Sequence, residues 1–233
     1  MAIAPYQKRR EEIEHYFDRT AADAWSKLTS TEPVGRIRQT VREGRDQMRA
    51  NLLSWLPQDL SDKRILDAGC GTGLLACDLA NRGANVVAID ISPTLIDLAR
   101  ERVTPSHPNG QIRFEVGDMS HEALGEFDYV IAMDSLIHYR LEDAIDSIAK
   151  LGERTRCAMY FTFAPRTRLL AMMHAIGRYF PSSNRSPSLE PVCDRKLRLG
   201  LMQRAELANW STARDERVSR GFYMSHAYEL VRS

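Results

Sequence analysis

Apolar positions recur every three or four residues at the start of the chain and then change rhythm. Ile13, Tyr16, Phe17, Ala21, Ala24, Trp25 and Leu28 keep helical spacing between residues 10 and 28, which predicts an amphipathic helix. TSTEPVG at 29–35 breaks it. Val34, Ile37, Val41, Met48, Leu52 and Leu56 predict a second helix, with Arg36, Arg38, Arg42, Arg45 and Arg49 on its other side. Residues 1–58 thus read as a helical arm or lid. From residue 59 the pattern alternates. KRILDAG (63–69), NVVAIDIS (85–92), IRFEVGDMS (112–120), FDYVIAMDSL (127–136) and RCAMYFTFA (156–164) predict strands. Helical stretches at 74–83, 93–103 and about 141–151 separate them. Strands alternating with helices imply a right-handed, mostly parallel α/β sheet over 59–164. Residues 165–208 interrupt the rhythm with a methionine-rich helical pattern, a Pro/Ser-rich loop and a helix near 194–208. Residues 209–233 predict an antiparallel hairpin at the sheet edge.

In an open α/β sheet the ligand sits beyond the carboxyl ends of the strands. There the chain carries ILDAGCGTG at 65–73. Glycines after the first strand let a ligand approach the backbone. Gly71-x-Gly73-x-x-Ala76 fits a loose dinucleotide fingerprint, and it also fits an S-adenosylmethionine loop. Asp67 discriminates. A dinucleotide places its pyrophosphate here, and two like charges at 4 Å cost about 4 kcal/mol at an effective dielectric of 20. S-adenosylmethionine brings an ammonium and a sulfonium instead, which a carboxylate attracts. Asp90 ends the second strand, where an acid accepts ribose hydroxyls. Asp118 follows the third strand, where an acid suits an adenine amine. Any one of these residues would serve as a turn or helix cap; the three together point to the sulfonium cofactor.

These residues make 60–164 and the closing hairpin resemble the class I S-adenosylmethionine-dependent methyltransferases. The resemblance implies a Rossmann-like fold with a mostly parallel seven-stranded sheet. It assigns cofactor binding to Asp67, Gly69, Gly71, Gly73, Asp90, Ile91, Asp118, Met119 and Met133, and S-adenosylhomocysteine as the product.

The acceptor must be read from the arm and the insert. The insert is apolar, with Leu169, Met172, Met173 and Ile176, and basic, with Arg166, Arg168, Arg178 and Arg185. An apolar face rimmed with arginine suits a large planar molecule bearing carboxylates; packing on the sheet explains the same apolar residues. YFDRTAADAW (16–25), VREGRD (41–46), DSLIHY (134–139), and FAPRT (163–167) followed by RYFPSSNRSP (178–187) resemble the magnesium-protoporphyrin IX O-methyltransferase family, in its purple-bacterial form. That resemblance spans nearly the whole chain. It implies esterification of one propionate of magnesium-protoporphyrin IX in (bacterio)chlorophyll synthesis, with magnesium carried by the substrate and no metal held by the protein. It also implies docking on the porphyrin-carrying subunit of magnesium chelatase, and a cytoplasmic location with peripheral contact to the photosynthetic membrane.

A propionate is ionised near neutrality, so positioning, desolvation and charge balance are the required work. His138, after the fourth strand, is the candidate to orient the propionate or to ligate its magnesium. Tyr139, Arg42, Arg166, Arg168, Met172 and Arg185 are candidate substrate contacts. Arg42 and Arg45 can equally meet the cofactor carboxylate or form a solvated helix face. Phe17 and Trp25 suit either a cation–π contact with the sulfonium or arm packing. Cyanobacterial and plant members tend to carry a tyrosine four residues after Trp25; here the residue is Thr29, and Tyr16 is the candidate substitute.

Composition adds exclusions. The net charge of +1 gives no global field for nucleic acid. Cys70, Cys77, Cys157 and Cys193 form no CxxC pair, which suits free thiols. No apolar run approaches a membrane span. Three other readings remain open: methyl transfer to a quinone or small acid, a nonenzymatic porphyrin-binding module docking on the chelatase, and a dehydrogenase.

Overall fold

The computed structural model describes residues 3–18, 29, 34–166 and 189–233. Helices α1 (Ile3–Tyr16) and α2 (Arg36–Trp55) precede β1 (Arg64–Ala68), α3 (Leu74–Ala80), β2 (Asn85–Asp90), α4 (Pro93–Arg102), β3 (Gln111–Val116), β4 (Phe127–Ala132), α5 (Leu141–Glu153) and β5 (Thr155–Phe163). Then come α6 (Asp194–Met202), β6 (Trp210–Arg220) and β7 (Tyr223–Arg232). The strands form one seven-stranded sheet in the order β3-β2-β1-β4-β5-β7-β6. β1 to β5 pair in parallel, whereas β7 pairs antiparallel with both β5 and β6. The strand order reverses between β1 and β4, which opens the ligand crevice of doubly wound sheets.

Strand alternation builds two cores. Leu66, Ala68, Val87 and Ile89 face one way and pack with Ile13 of α1, Ile145 and Ile148 of α5, and Leu197 of α6. Ile65, Val86, Ala88 and Ile131 face the other way and pack with Met48 and Leu52 of α2 and Leu75 and Leu79 of α3. Helices on both faces explain why the central strands read as continuous apolar runs. α4 begins as its sequence demands: Pro93 follows Ser92, whose hydroxyl accepts the Leu95 N–H at 3.2 Å.

Several boundaries depart from the periodicity. The arm helix begins at Ile3 rather than near residue 10 and ends at Tyr16; residues 19–28, predicted to continue it, lie outside the described residues. The polar run QKRREE that follows its first turn is held by tertiary contacts, Arg9 to the His138 carbonyl and Arg10 to Asp118. The predicted helix at 194–208 divides into α6 and a 3₁₀ turn at Ala205–Leu207. β4 stops at Ala132, and Asp134 then adopts a left-handed φ of 53°. Among the described residues, no helix is long and apolar enough to cross a membrane.

Candidate active site

A cavity of about 520 Å³ lies beyond the carboxyl ends of β1 to β4. Its floor is the glycine loop. Gly71, at φ 56°, has nothing within 4 Å of where a Cβ would stand, so the backbone there is open to a ligand. Gly71 N–H donates to Asp90 Oδ2 at 2.8 Å and Ser92 N–H to Oδ1 at 3.0 Å. These bonds fix the Asp90 carboxylate at the cavity wall, and each oxygen keeps a second lone pair for a hydroxyl. Burial is the larger influence and still pushes the Asp90 carboxyl above its usual range.

Asp67 is more exposed to this penalty. Burial, and then the charge of Asp90, push it up to about 7. Its Oδ2 is buried, with no hydrogen-bond partner among the described residues. An unpaired buried acceptor costs about 1–3 kcal/mol, and a cationic group in the cavity would satisfy it. Asp67, Asp90 and the open Gly71 backbone therefore fit S-adenosylmethionine. Cys70 lines the same wall, but burial and then Asp67 and Asp90 push its thiol up, so it is no nucleophile.

The opposite wall comes from the end of β4 and from the arm. Leu136–His138 form a 3₁₀ turn that brings buried His138 and Tyr139 to the cavity. The Phe17 ring stands edge-on to the His138 ring at 5.6 Å, and Tyr6 stacks on Tyr139 at 5.5 Å. Arg9 Nε donates to the His138 carbonyl at 2.8 Å. From α2, Arg42, Arg45 and Arg49 line the cavity together with Asp46.

A family model described as magnesium-protoporphyrin IX methyltransferase C-terminus matches residues 132–232. A second, described as methyltransferase domain, matches residues 65–154. The chain is 51% identical over 225 residues to the magnesium-protoporphyrin O-methyltransferase of Rhodobacter capsulatus, covering 96% of this chain and 97% of that one. It belongs to the magnesium-protoporphyrin O-methyltransferase family. The Synechocystis member is 30% identical over 95% of each chain. A crystal structure of the magnesium protoporphyrin IX methyltransferase from Synechocystis PCC 6803 with bound S-adenosylhomocysteine superposes with a TM-score of 0.83 at 29% identity. That likeness covers 95% of this chain and 98% of the other.

Within this member of the methyltransferase family, the cavity brings together Asp67, Gly69, Gly71, Asp90, Ile91, Met119, Met133, His138, Tyr139 and Arg42. Other expected positions stand elsewhere. Gly73 caps α3, and a Cβ on it would meet the Phe114 ring at 2.9 Å, so glycine is required there for helix packing. Asp118 is not in the lining, although its neighbours Gly117 and Met119 are. Its Oδ2 accepts from Tyr6 at 3.1 Å and Arg10 at 3.3 Å, and its Oδ1 from Ser120. Burial acts to raise this carboxyl, but hydrogen bonds from Ser120, Tyr6 and Arg10 outweigh it and hold it below the usual range. Asp118 thus ties α1 to the end of β3.

Tyr16 also stands outside the lining. It sits one helical position from Phe17, whose ring faces the cavity, and contacts that ring edge-on at 5.3 Å. Thr29, which stands where relatives carry the tyrosine, lines the cavity itself. Arg166 is exposed, and its backbone N–H bonds Val192. Arg168, Met172, Arg185 and Trp25 lie outside the described residues. Sequence reasoning missed Tyr6 and Arg10, since no motif or periodicity marks them. It also missed Ser135, which the DSLIHY stretch contains and whose Cβ packs where a Gly69 Cβ would fall.

Proposed function

We propose that the chain transfers a methyl group from S-adenosylmethionine to a propionate carboxylate of magnesium-protoporphyrin IX, giving the monomethyl ester. The single observation that carries this reading is the family relation over almost the whole chain. It is supported by a cavity whose buried acids suit a cationic donor. When bound, S-adenosylmethionine supplies an electrophilic methyl group on sulfur. A carboxylate oxygen forms the O–CH₃ bond while the C–S bond breaks, leaving the electron pair on sulfur. No proton moves, so no strong base is required. Asp90 holds the ribose hydroxyls and Asp67 the ammonium. His138, fixed by Phe17 and by its carbonyl bond to Arg9, orients the propionate or meets the porphyrin's magnesium, with Tyr139 beside it. Arg42 supplies positive charge for a carboxylate.

We read residues 1–58 as a lid and 165–208 as a cap over the same edge of the sheet. The arm's contacts with Asp118, Ser92 and the His138 carbonyl support the first reading. Docking on the porphyrin-carrying subunit of magnesium chelatase, and a cytoplasmic site with peripheral membrane contact, follow from the family's chemistry and belong to this proposal.

The test is turnover. Protein, labelled S-adenosylmethionine and magnesium-protoporphyrin IX are mixed, and the pigment is separated by chromatography. A monomethyl ester from the native chain and little from Asp90→Ala is the expected result. No ester from a protein that still binds the cofactor would redirect the search to another acceptor.

A further inference from the structure

Asp67 is not alone among the cavity residues in carrying a buried polar atom with an unmet hydrogen bond. The hydroxyl oxygen of Ser135 is buried and has no hydrogen-bond partner among the described residues, although the residue belongs to the cavity lining. Ser135 stands just past β4, at the N-terminal cap of the 3₁₀ turn Leu136–His138. A serine at such a cap ordinarily accepts a backbone N–H of its own turn, as Ser92 does at the start of α4. The Ser135 side chain makes no such bond.

The backbone of this serine is fixed from two sides. Asp134, the residue before it, holds a left-handed φ of 53°, which a non-glycine residue keeps only where its surroundings impose it. They do so here. The Asp134 carboxylate accepts from the Tyr223 hydroxyl at 3.0 and 3.2 Å, from Ser225 at 3.3 Å and from Thr162 at 3.3 Å, and its N–H donates to Thr162 Oγ1 at 2.8 Å. Tyr223 reaches it beneath α2, where a Cβ on Gly44 would fall 2.5–2.7 Å from the ring. On the other side lies the glycine loop. A Cβ on Gly69 would collide with Ser135 Cβ and stand 3.1 Å from its Oγ. Gly69 is thus required by the serine as well as by its own φ of 81°. With the backbone held, the hydroxyl keeps one freedom, rotation about Cα–Cβ among its staggered positions.

A buried hydroxyl without a partner is unfavourable, and that rotation turns it toward the cavity, where a ligand acceptor satisfies it. Its neighbour there has the opposite need. Asp67 and Ser135 come from the ends of the adjacent strands β1 and β4, with Gly69 between them. Ionised Asp67 can only accept hydrogen bonds, whereas the Ser135 hydroxyl also donates one. An α-amino acid carries an ammonium and a carboxylate on one carbon, so a carboxylate acceptor beside a hydroxyl donor matches it group for group.

We infer that Ser135 is a further cofactor-binding residue, whose hydroxyl donates to the α-carboxylate of S-adenosylmethionine while Asp67 takes the ammonium. This rests on the methyl-transfer reading, which places that amino-acid end beside the glycine loop. A hydrogen bond to a charged acceptor is stronger than one between neutral groups. Ser135 also opens the short turn that ends in His138, so the residue that reads the donor and the residue proposed to orient the propionate lie on one segment.

The test measures binding on the full chain as native protein, Ser135→Ala and Ser135→Cys, the last keeping the shape with a weaker donor. Calorimetry uses three probes: S-adenosylhomocysteine, its decarboxylated form, which keeps the ammonium, and 5′-methylthioadenosine, which lacks the amino-acid end. Ser135→Ala is expected to weaken S-adenosylhomocysteine about tenfold and to leave the other two within about twofold of native, with Ser135→Cys between. S-adenosylhomocysteine affinity within about twofold of native in Ser135→Ala would overturn the inference. An equal loss for the decarboxylated probe would also overturn it, by assigning the hydroxyl to the ammonium or, if 5′-methylthioadenosine loses as much, to general damage. Thermal unfolding of each variant reports such damage directly. Fluorescence quenching reads magnesium-protoporphyrin IX in parallel, and a loss confined to the pigment would overturn the inference by moving the hydroxyl to the acceptor. None of these readouts needs an ester, so they stand even if the native protein methylates another acceptor; a native chain that bound no S-adenosylhomocysteine would overturn the methyl-transfer reading itself, and this inference with it.

Discussion

Replacing Asp67 by Asn tests the electrostatics of the donor site most directly. Burial and Asp90 push the Asp67 carboxyl up to about 7. Its folded value lies above its unfolded one, so the empty fold is favoured with Asp67 protonated and loses that advantage as pH rises from about 4 through about 7. A cationic ligand reverses the preference, because it binds the ionised form. At pH 6 about a tenth of Asp67 is ionised and at pH 8 about nine-tenths. Affinity for a ligand bearing an ammonium should therefore rise about tenfold over that interval, or ~1.4 kcal/mol. S-adenosylhomocysteine is the suitable probe, measured calorimetrically in buffers of different ionisation enthalpy. Near pH 7 the native protein should release about half a proton on binding. Asp67→Asn should show a flatter profile, weaker binding at pH 8 and no such release. Equal slopes in the two proteins, or native affinity that falls with pH across this window, would refute the reasoning.

Gly73→Ala should lower stability by about 2–3 kcal/mol, because a left-handed φ of 78° is combined with a Cβ 2.9 Å from the Phe114 ring; chemical denaturation reads it. Tyr6→Phe keeps the stack on Tyr139 but removes the hydrogen bond to Asp118. Proteolysis within residues 3–18 should accelerate while the melting of the sheet stays unchanged. The Asp118 carboxyl is held below its usual range, so this anchor is present above the ordinary carboxylate pKa and is lost as pH falls through the depressed value. The same proteolysis assay at acidic pH should show native protein approaching the variant. His138→Ala should lower kcat by about 10- to 100-fold with a smaller effect on S-adenosylhomocysteine affinity; equal losses in both would assign His138 to the cofactor instead.

The sequence by itself determined the core. Alternating strands and helices dictated a parallel sheet, because runs such as NVVAIDIS can be buried on both faces only between helices. It also placed Asp67, Gly71, Asp90 and His138 at strand ends, and those residues do line one cavity, since a parallel sheet gathers its carboxyl ends on one edge whatever the loops do. Tertiary structure alone decided the rest. Asp118 follows its strand as expected, yet its side chain turns to Tyr6 and Arg10, partners more than a hundred positions away. The arm helix runs from Ile3 through a polar segment because those distant contacts hold it. Tyr16 and Phe17 are equivalent aromatic neighbours in the sequence; the turn of the helix gives the cavity to Phe17. Gly44 reads as a helix flaw until Tyr223 is seen beneath it. Periodicity reports which face of an element is buried, but which residue of another element meets it depends on how helices and sheet dock, and that is settled by packing across the whole fold.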